Sequence, residues 1–345
     1  MMRLGVDAWN LPGDRRGIGR YLREILRAWW HGFRERVEPT LIVPEWHAPI
    51  GAGRYRREVD GRPYPVVSRA LHARAGLDAL WFPFNGCSWT NFSLPAAATL
   101  HDASNFVVPD YAPENQAIFR AAAQRCRVLI TDSRFAQADL SRALGVSADR
   151  IVPIYPGVAP PRAPHGARPD VAALAPFVLY VGSAERRKGF DVLVAAMARV
   201  QRERPGLRLV ATSNVDAWRD ATAGLPAFTA LGYVDDDTLA ALYRSSALLA
   251  FPSRYEGFGL PVLEAMSYGT PVVASDAASI PEVAGEAACY VPPGDQAALA
   301  DAILRVVSDD GYAARLRALG PPHAAHFPWE ATARRTLETL EAMLA

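Results

Sequence analysis

The chain has 345 residues, half of them apolar and about a fifth charged, with a net charge of +1. That length suits two domains of ordinary size, and the near-neutral balance argues against a nucleic-acid partner. The three cysteines (Cys87, Cys126, Cys289) are scattered and form no C-x-x-C, so neither a zinc site nor a disulfide framework is expected and a reducing compartment suits them.

The N-terminus enters a strand at once, Arg3–Trp9, without a charged-then-apolar leader, and no apolar run approaches the length of a bilayer span. A cytoplasmic protein is expected. A polar turn, Asn10–Arg16, then leads to Gly17-Ile-Gly19, which opens a helix. A G-x-G after a strand places backbone N–H groups at a helix start, but the third glycine and the acidic strand end of a dinucleotide site are missing. From Arg3 to Arg74 there are fourteen arginines against eight acidic residues, many of them on the amphipathic stretch Gly19–Arg36. Such a face could rest on an anionic membrane, or Leu22, Ile25, Leu26 and Trp29 could pack on a sheet with the arginines solvated.

Further strands are expected at Pro39–Val43, Ala79–Phe82 and Ala98–Leu100, with Gly51–Arg57 an intervening loop too polar for the core. Ala97-Ala-Thr-Leu-His101-Asp102 delivers a His-Asp pair at a strand's carboxyl end, where open α/β sheets bind ligands, although a histidine there is often only capped or solvated. Asn105–Pro113 reads as a loop on that edge. Cys126–Phe135 is strand into helix, with Asp132 or Ser133 as N-cap. Arg150–Val158 is the last strand of this half, and the Pro/Ala/Arg-rich run 159–169 is a linker by composition.

Phe177–Gly182 is a buried strand that feeds a helix at Asp191–Arg199 through Arg186-Arg187-Lys188-Gly189. Lys188 is the only lysine of the chain. A compact ammonium at a helix entrance, in a sequence that otherwise uses arginine, fits a phosphate site, and a solvated cluster is the other reading. Strands follow at Leu207–Thr212 and Thr229–Val234, and Asp235–Leu239 begins a helix well.

Ala247–Phe251 is again a buried strand. It leaves through Glu256-Gly-Phe-Gly-Leu-Pro-Val-Leu-Glu264, where glycines open the turn, Pro261 fits a first helical turn and Gly269 ends the helix. Unpaired N–H groups at such an edge favour anions and hydroxyls, and the two glutamates, one on the loop and one in the helix, can each accept from vicinal hydroxyls. Strand, turn and helix recur around Pro281, a strand ends at Gly294, and helices are expected at Gln296–Ser308, about Tyr312–Leu319, and over Phe327–Leu344.

The Glu256–Glu264 stretch resembles the signature of the retaining, nucleotide-sugar-dependent glycosyltransferases of family 4. The resemblance runs over nearly the whole chain and is densest from Tyr180 to Gly294. It implies the α/β GT-B architecture, two Rossmann-like domains with parallel sheets facing across a deep cleft. Residues 1–160 would form the acceptor-side domain, 161–327 the donor-binding domain, and 328–345 a helix crossing back to the first. By the same resemblance His101, Arg187, Lys188 and Glu256 are the catalytic set. Gly17, Gly19, Gly182, Tyr233, Val234, Gly257, Phe258, Gly259, Leu260 and Glu264 line the donor site. Glu256 would meet the donor sugar, Glu264 the ribose, and Arg187 with Lys188 the diphosphate. Ser183 departs from those members that carry arginine directly after the strand glycine.

The reaction implied is transfer of a hexose, with mannose favoured, from a GDP- or UDP-sugar to a glycan or lipid-linked acceptor in bacterial surface polysaccharide or glycolipid synthesis. Metal-ligand spacing is absent and two basic groups can replace a divalent ion, so neither metal nor other cofactor is expected. Two alternatives predict different chemistry: an epimerase of the same fold, which turns over without acceptor, and a silent nucleotide-sugar-binding partner, which binds and does nothing more.

Overall fold

The computed structural model describes residues 1–14, 17–45, 52–109, 115–161 and 169–345. Arg15 and Arg16 of the first turn, Gly51, the end of the 105–113 loop and residues 162–168 of the linker lie outside the described residues. The chain forms two compact units, one of Met1–Gly157 with Pro328–Ala345, the other of Val158–Phe327.

The first unit is built on a seven-stranded sheet of order β3-β2-β1-β4-β5-β6-β7. Its strands are β1 (Met2–Asp7), β2 (Val37–Val43), β3 (Val66–Ser68), β4 (Ala79–Phe82), β5 (Ala96–Thr99), β6 (Val128–Thr131) and β7 (Ile151–Pro153). All pairings are parallel. Parallel strands must be joined by crossovers that cover both faces, so they read as unbroken apolar runs, and β4 and β5 are buried throughout. One face packs Phe82, Ala98, Leu129 and Leu140 around Phe119 of the helix Gln116–Arg125.

The helix Gly17–Gly32 covers sheet with Tyr21, Leu22, Ile25, Leu26 and Trp29. Its arginines are engaged rather than left as a basic face. Arg23 Nη1 lies 3.3 Å from Glu58, and Arg27 bridges Glu24 at 2.7 Å and Asp60 at 2.9 Å. Packing on the sheet is therefore what this helix's apolar stripe does. The helix Trp329–Ala342 lies against it: Trp29 Nε1 donates to the Ala333 carbonyl at 2.9 Å, and Arg36 pairs with Glu341 at 2.5 Å.

Two readings of the first half change. Ala52–Glu58 is a helix and not a loop, because one tooth, Tyr55, is fully buried and anchors an otherwise polar segment. The strand at Val66–Ser68 had no pattern of its own, since an edge strand of three half-buried residues shows neither alternation nor a long apolar run.

The second unit repeats the topology. Its six-stranded sheet has the order β10-β9-β8-β11-β12-β13. The strands are β8 (Phe177–Tyr180), β9 (Arg208–Ala211), β10 (Phe228–Ala230), β11 (Leu248–Phe251), β12 (Val272–Ser275) and β13 (Cys289–Val291), again all parallel. Numbered within the unit this is 3-2-1-4-5-6, the doubly wound order, with its reversal between β8 and β11. The helices Phe190–Glu203 and Gln296–Ser308 pack over one face with Leu193, Met197, Leu299 and Ile303 in the core. Among the described residues no helix is long and apolar enough to cross a membrane.

Leu337 is completely buried where the last helix meets the first unit. Leu337→Ala should lower the stability of that unit by about 2–5 kcal/mol through lost transfer energy and a cavity, read as an earlier transition in urea.

Candidate active site

In a doubly wound sheet the chains leaving the two strands at the reversal point diverge to opposite faces and leave a crevice at the carboxyl edge. In the second unit those strands are β8 and β11. The exit of β8 carries Arg187 and Lys188, and the exit of β11 carries Glu256, so the sheet order brings together residues far apart in sequence. Lys188 Nζ donates to both Glu256 oxygens, at 2.7 and 2.8 Å. Arg187 Nη1 donates to the Tyr255 carbonyl at 3.0 Å and stands 3.9 Å from Glu256. The Arg187, Lys188 and Glu256 side chains are only 12, 18 and 7 % exposed, which keeps their fields poorly screened.

Neighbouring groups lock this arrangement. The Arg254 N–H donates to the Arg187 carbonyl at 2.8 Å, and its guanidinium grips Asp191 with two bonds of 2.7 and 2.8 Å. Gly189, at φ 70°, passes so close to the next loop that a Cβ would lie 2.1 Å from the Pro252 carbonyl. Below the glycine turn, the Ser279 hydroxyl lies 2.9 Å from the Glu256 carbonyl and 3.0 Å from that of Phe258, and Ser275 bonds the Ser253 carbonyl. The locking contacts of Arg254, Asp191, Ser275 and Ser279 escaped the sequence reading. Each acts by contact with a loop that is distant in sequence, and none belongs to a local pattern.

Among the other expected donor-site residues, Gly182 follows β8 at φ 142° with open space where a Cβ would be. Gly257 and Gly259 are buried in the turn, and Gly259, at φ 105°, is the N-cap of the helix Leu260–Ser267. Leu260 is half-buried there. The Phe258 ring is buried and packs 6.1 Å from the Phe327 ring, so this side chain is core while its main chain lines the turn. Glu264, half-buried in that helix, accepts from the Tyr243 hydroxyl at 2.8 Å. Tyr233 is 62 % exposed beyond β10, beside half-buried Val234. Asp235 caps the helix Asp236–Ser245 through the Thr238 N–H.

In the first unit, Gly17 is exposed at the first turn of its helix. Gly19 is buried beneath the Asp14 carbonyl, where a Cβ would come to 1.8 Å, so its glycine serves loop packing. His101 follows β5 and is buried with both ring nitrogens engaged. Nδ1 lies 2.9 Å from Asp132 and Nε2 3.0 Å from the Pro83 carbonyl. Asn85 Oδ1 accepts the His101 N–H at 2.8 Å from a left-handed backbone, φ 56°, that asparagine tolerates well. The Asn85-Gly86 dipeptide was a legible turn signal. Asp102 accepts from the Ser104 N–H, which makes it a loop-orienting group. Ser133 caps the helix Arg134–Leu144, which leaves Asp132 to the histidine.

Burial alone would push His101 toward the neutral ring. The Asp132 carboxylate at Nδ1 and the Pro83 carbonyl at Nε2 outweigh it, and the pKa is held above its ordinary value. Among the described residues no group of three or more His, Cys, Asp or Glu side chains could hold a metal ion.

A family model described as Glycosyl transferases group 1 matches residues 175–309, all in the second unit. O-antigen chain mannosyltransferase B of Escherichia coli is 31% identical over 274 residues, which cover 72% of this chain and 71% of that protein. A D-inositol 3-phosphate glycosyltransferase of Xylanimonas cellulosilytica is 28% identical, with 88% of this chain and 82% of that one covered. Among solved structures, Anabaena HepE in complex with UDP-glucose superposes with a TM-score of 0.78 at 18% identity, over 99% of this chain and 100% of the other. Sucrose-phosphate synthase from Thermosynechococcus elongatus gives 0.76 at 22%, over 99% of each chain. At such identities the likeness shows the fold alone, and that fold is GT-B.

A histidine whose folded pKa is raised contributes stability that is complete below its unfolded pKa, about 6.5, and is lost as pH rises through the folded value. The melting midpoint of the native chain should therefore exceed that of His101→Gln most at pH 6, and the gap should narrow steadily above pH 6.5. A gap independent of pH from 6 to 9 would show that His101 does not titrate in that range.

Proposed function

Because this chain belongs to the group 1 glycosyl transferases, and is a glycosyltransferase by that membership, we propose that it transfers a hexose, with mannose favoured, from a nucleoside-diphosphate sugar to an acceptor hydroxyl with retention at the anomeric carbon. The observation that carries the proposal is the convergence of Arg187, Lys188 and Glu256 at the reversal point of the second sheet. The preference for mannose, and for a glycan or lipid-linked acceptor of a bacterial surface polysaccharide or glycolipid, rests on the relative named O-antigen chain mannosyltransferase B. UDP-glucose in the HepE structure supports a nucleotide-sugar donor as a class.

In this reading the bond from the anomeric carbon to the diphosphate oxygen breaks, and its electron pair leaves with the nucleoside diphosphate. The developing negative charge meets Arg187 and Lys188, held rigid before the reaction begins, so that little reorganisation is needed as charge appears. The acceptor oxygen bonds to the anomeric carbon on the face being vacated, and its proton passes to a phosphate oxygen of the leaving group. Glu256 receives sugar hydroxyls while steadying Lys188, and Glu264, oriented by Tyr243, receives the ribose hydroxyls. Gly182, the Tyr233-Val234 turn and the main chain of 257–260 border the nucleotide. On the family resemblance we assign His101 to the catalytic set, at the transferred sugar, and Gly17 and Gly19 to donor binding. The basic pair takes the place of a divalent ion, which makes the reaction metal-independent. The enzyme works in the cytoplasm, with peripheral membrane contact where the acceptor is lipid-linked.

A panel of GDP-, UDP-, ADP- and dTDP-hexoses in thermal melts should single out one donor by the upward shift of the midpoint. With that donor, Lys188→Ala should lower kcat about a hundredfold or more, as expected for removal of one preorganised electrostatic group, and Lys188→Arg should recover part of it. Near-normal turnover in Lys188→Ala would rule out its role at the diphosphate. Glu264→Ala should weaken nucleoside diphosphate binding by about tenfold in calorimetry, the loss of a charged hydrogen bond, and an unchanged Kd would remove the ribose assignment.

A further inference from the structure

The first unit has a reversal point of its own, between β1 and β4, because its sheet order is also 3-2-1-4. The second unit fills the equivalent place with Arg187, Lys188 and Glu256, and the first fills it with aromatic rings. The β1–β4 register pairs Val6 with Trp81, and continued to the carboxyl edge it brings Trp9 opposite Phe84. The two rings meet edge to face, with centroids 6.1 Å apart and planes at 64°. Phe84 is 5 % exposed and Trp9 36 %, which makes Trp9 the most exposed of the described tryptophans.

The indole stands on a rigid base. At the end of β1 the buried Asp7 carboxylate is bonded by Ser88 and lies 3.2 Å from Arg69. Phe84 sits between Pro83 and Asn85, the two residues whose oxygens hold His101. Continued three residues beyond its last pair, Phe82 with Ala98, the β4–β5 register sets Asn85 beside His101, so the aromatic pair and the His101 loop are adjacent rows of one edge. Half-buried Asn10 and Asp102 follow the carboxyl ends of β1 and β5 on this edge.

We propose that Trp9 is a stacking platform for a pyranose ring of the acceptor glycan, an inference that rests on the transferase reading above. One face of a pyranose presents a row of C–H groups whose weak positive charge suits the negative face of an indole, while its hydroxyls point outward to amides and carboxylates. A single ring on a sheet edge that also carries Asn10 and Asp102 fits such a molecule; an acyl chain needs a continuous apolar wall. The Arg187, Lys188 and Glu256 cluster and all the residues matched by the family model lie in the second unit, which assigns a sugar recognised at Trp9 to the acceptor. Because the loops are already fixed, little ordering is needed when the ring docks.

The test is saturation-transfer NMR on the full chain with methyl α-mannopyranoside, methyl α-glucopyranoside and methyl α-galactopyranoside, with hexyl phosphate as a lipid-like probe. At least one pyranoside should receive saturation, concentrated on the C–H protons of one face. Its binding should weaken about tenfold in Trp9→Ala and stay within about threefold in Trp9→Phe, which keeps a ring. Signals equal in Trp9→Ala and the native chain, or no saturation of any pyranoside, overturn the proposal. Trp9-dependent saturation of hexyl phosphate alone overturns it in favour of a lipid tail. Failure of the transferase reading is a separate result: it shows as no hydrolysis of any nucleoside-diphosphate hexose by the native chain, whatever the NMR gives.

Discussion

The ion pair between Lys188 and Glu256 is the contact on which the second unit's edge depends. It joins the exits of two neighbouring strands whose helices leave to opposite faces, so the two loops have no covalent reason to meet. A buried pair of this kind is weak evidence for stability, since taking both charges out of water offsets most of their attraction. Its use is geometric. With Glu256 fixed, the ammonium is held at the crevice, and the adjoining guanidinium of Arg187 is tied to the Tyr255 carbonyl of the same loop.

The locking is redundant, and each layer is of a different kind. Arg254 and Asp191 close a charged fork across the loops, Gly189 permits a backbone approach that a Cβ would forbid, and Ser279 holds the glycine turn from below through two carbonyls. Preorganisation of this sort is what electrostatic catalysis needs, because a field that must be assembled during the reaction gives back its advantage in reorganisation. The cost falls on the sequence: residues with no chemistry of their own must still be Asp, Arg, Ser and Gly.

The two units share a strand order and differ in what they place at its reversal. Basic and acidic groups stand there in one, a tryptophan and a phenylalanine in the other, with a histidine bonded to an aspartate and buried a strand away. Topology thus chooses where a ligand can sit, and the residues delivered to that place choose its chemistry. The helix Gly17–Gly32 teaches a related point. Its arginines and aromatics made a membrane face conceivable, yet its apolar stripe covers the sheet and its arginines meet Glu24, Glu58 and Asp60.

Local chemistry was enough to read the alternation of buried strands and helices, the turn at Gly257–Gly259, the break at Gly269 and the singular lysine, because each depends on a few neighbouring residues. The Glu256–Glu264 stretch also carried the family. Tertiary structure alone decided which partners those residues take. Lys188 and Glu256 are 68 positions apart, Arg254 and Asp191 are 63, and His101 and Asp132 are 31, distances that only the sheet order closes. It likewise turned Phe258 into the core, made a helix of Ala52–Glu58 around one buried tyrosine, and left Trp9 open. A side chain's environment is set by what the fold brings against it, and sequence spacing does not encode that across separate strands.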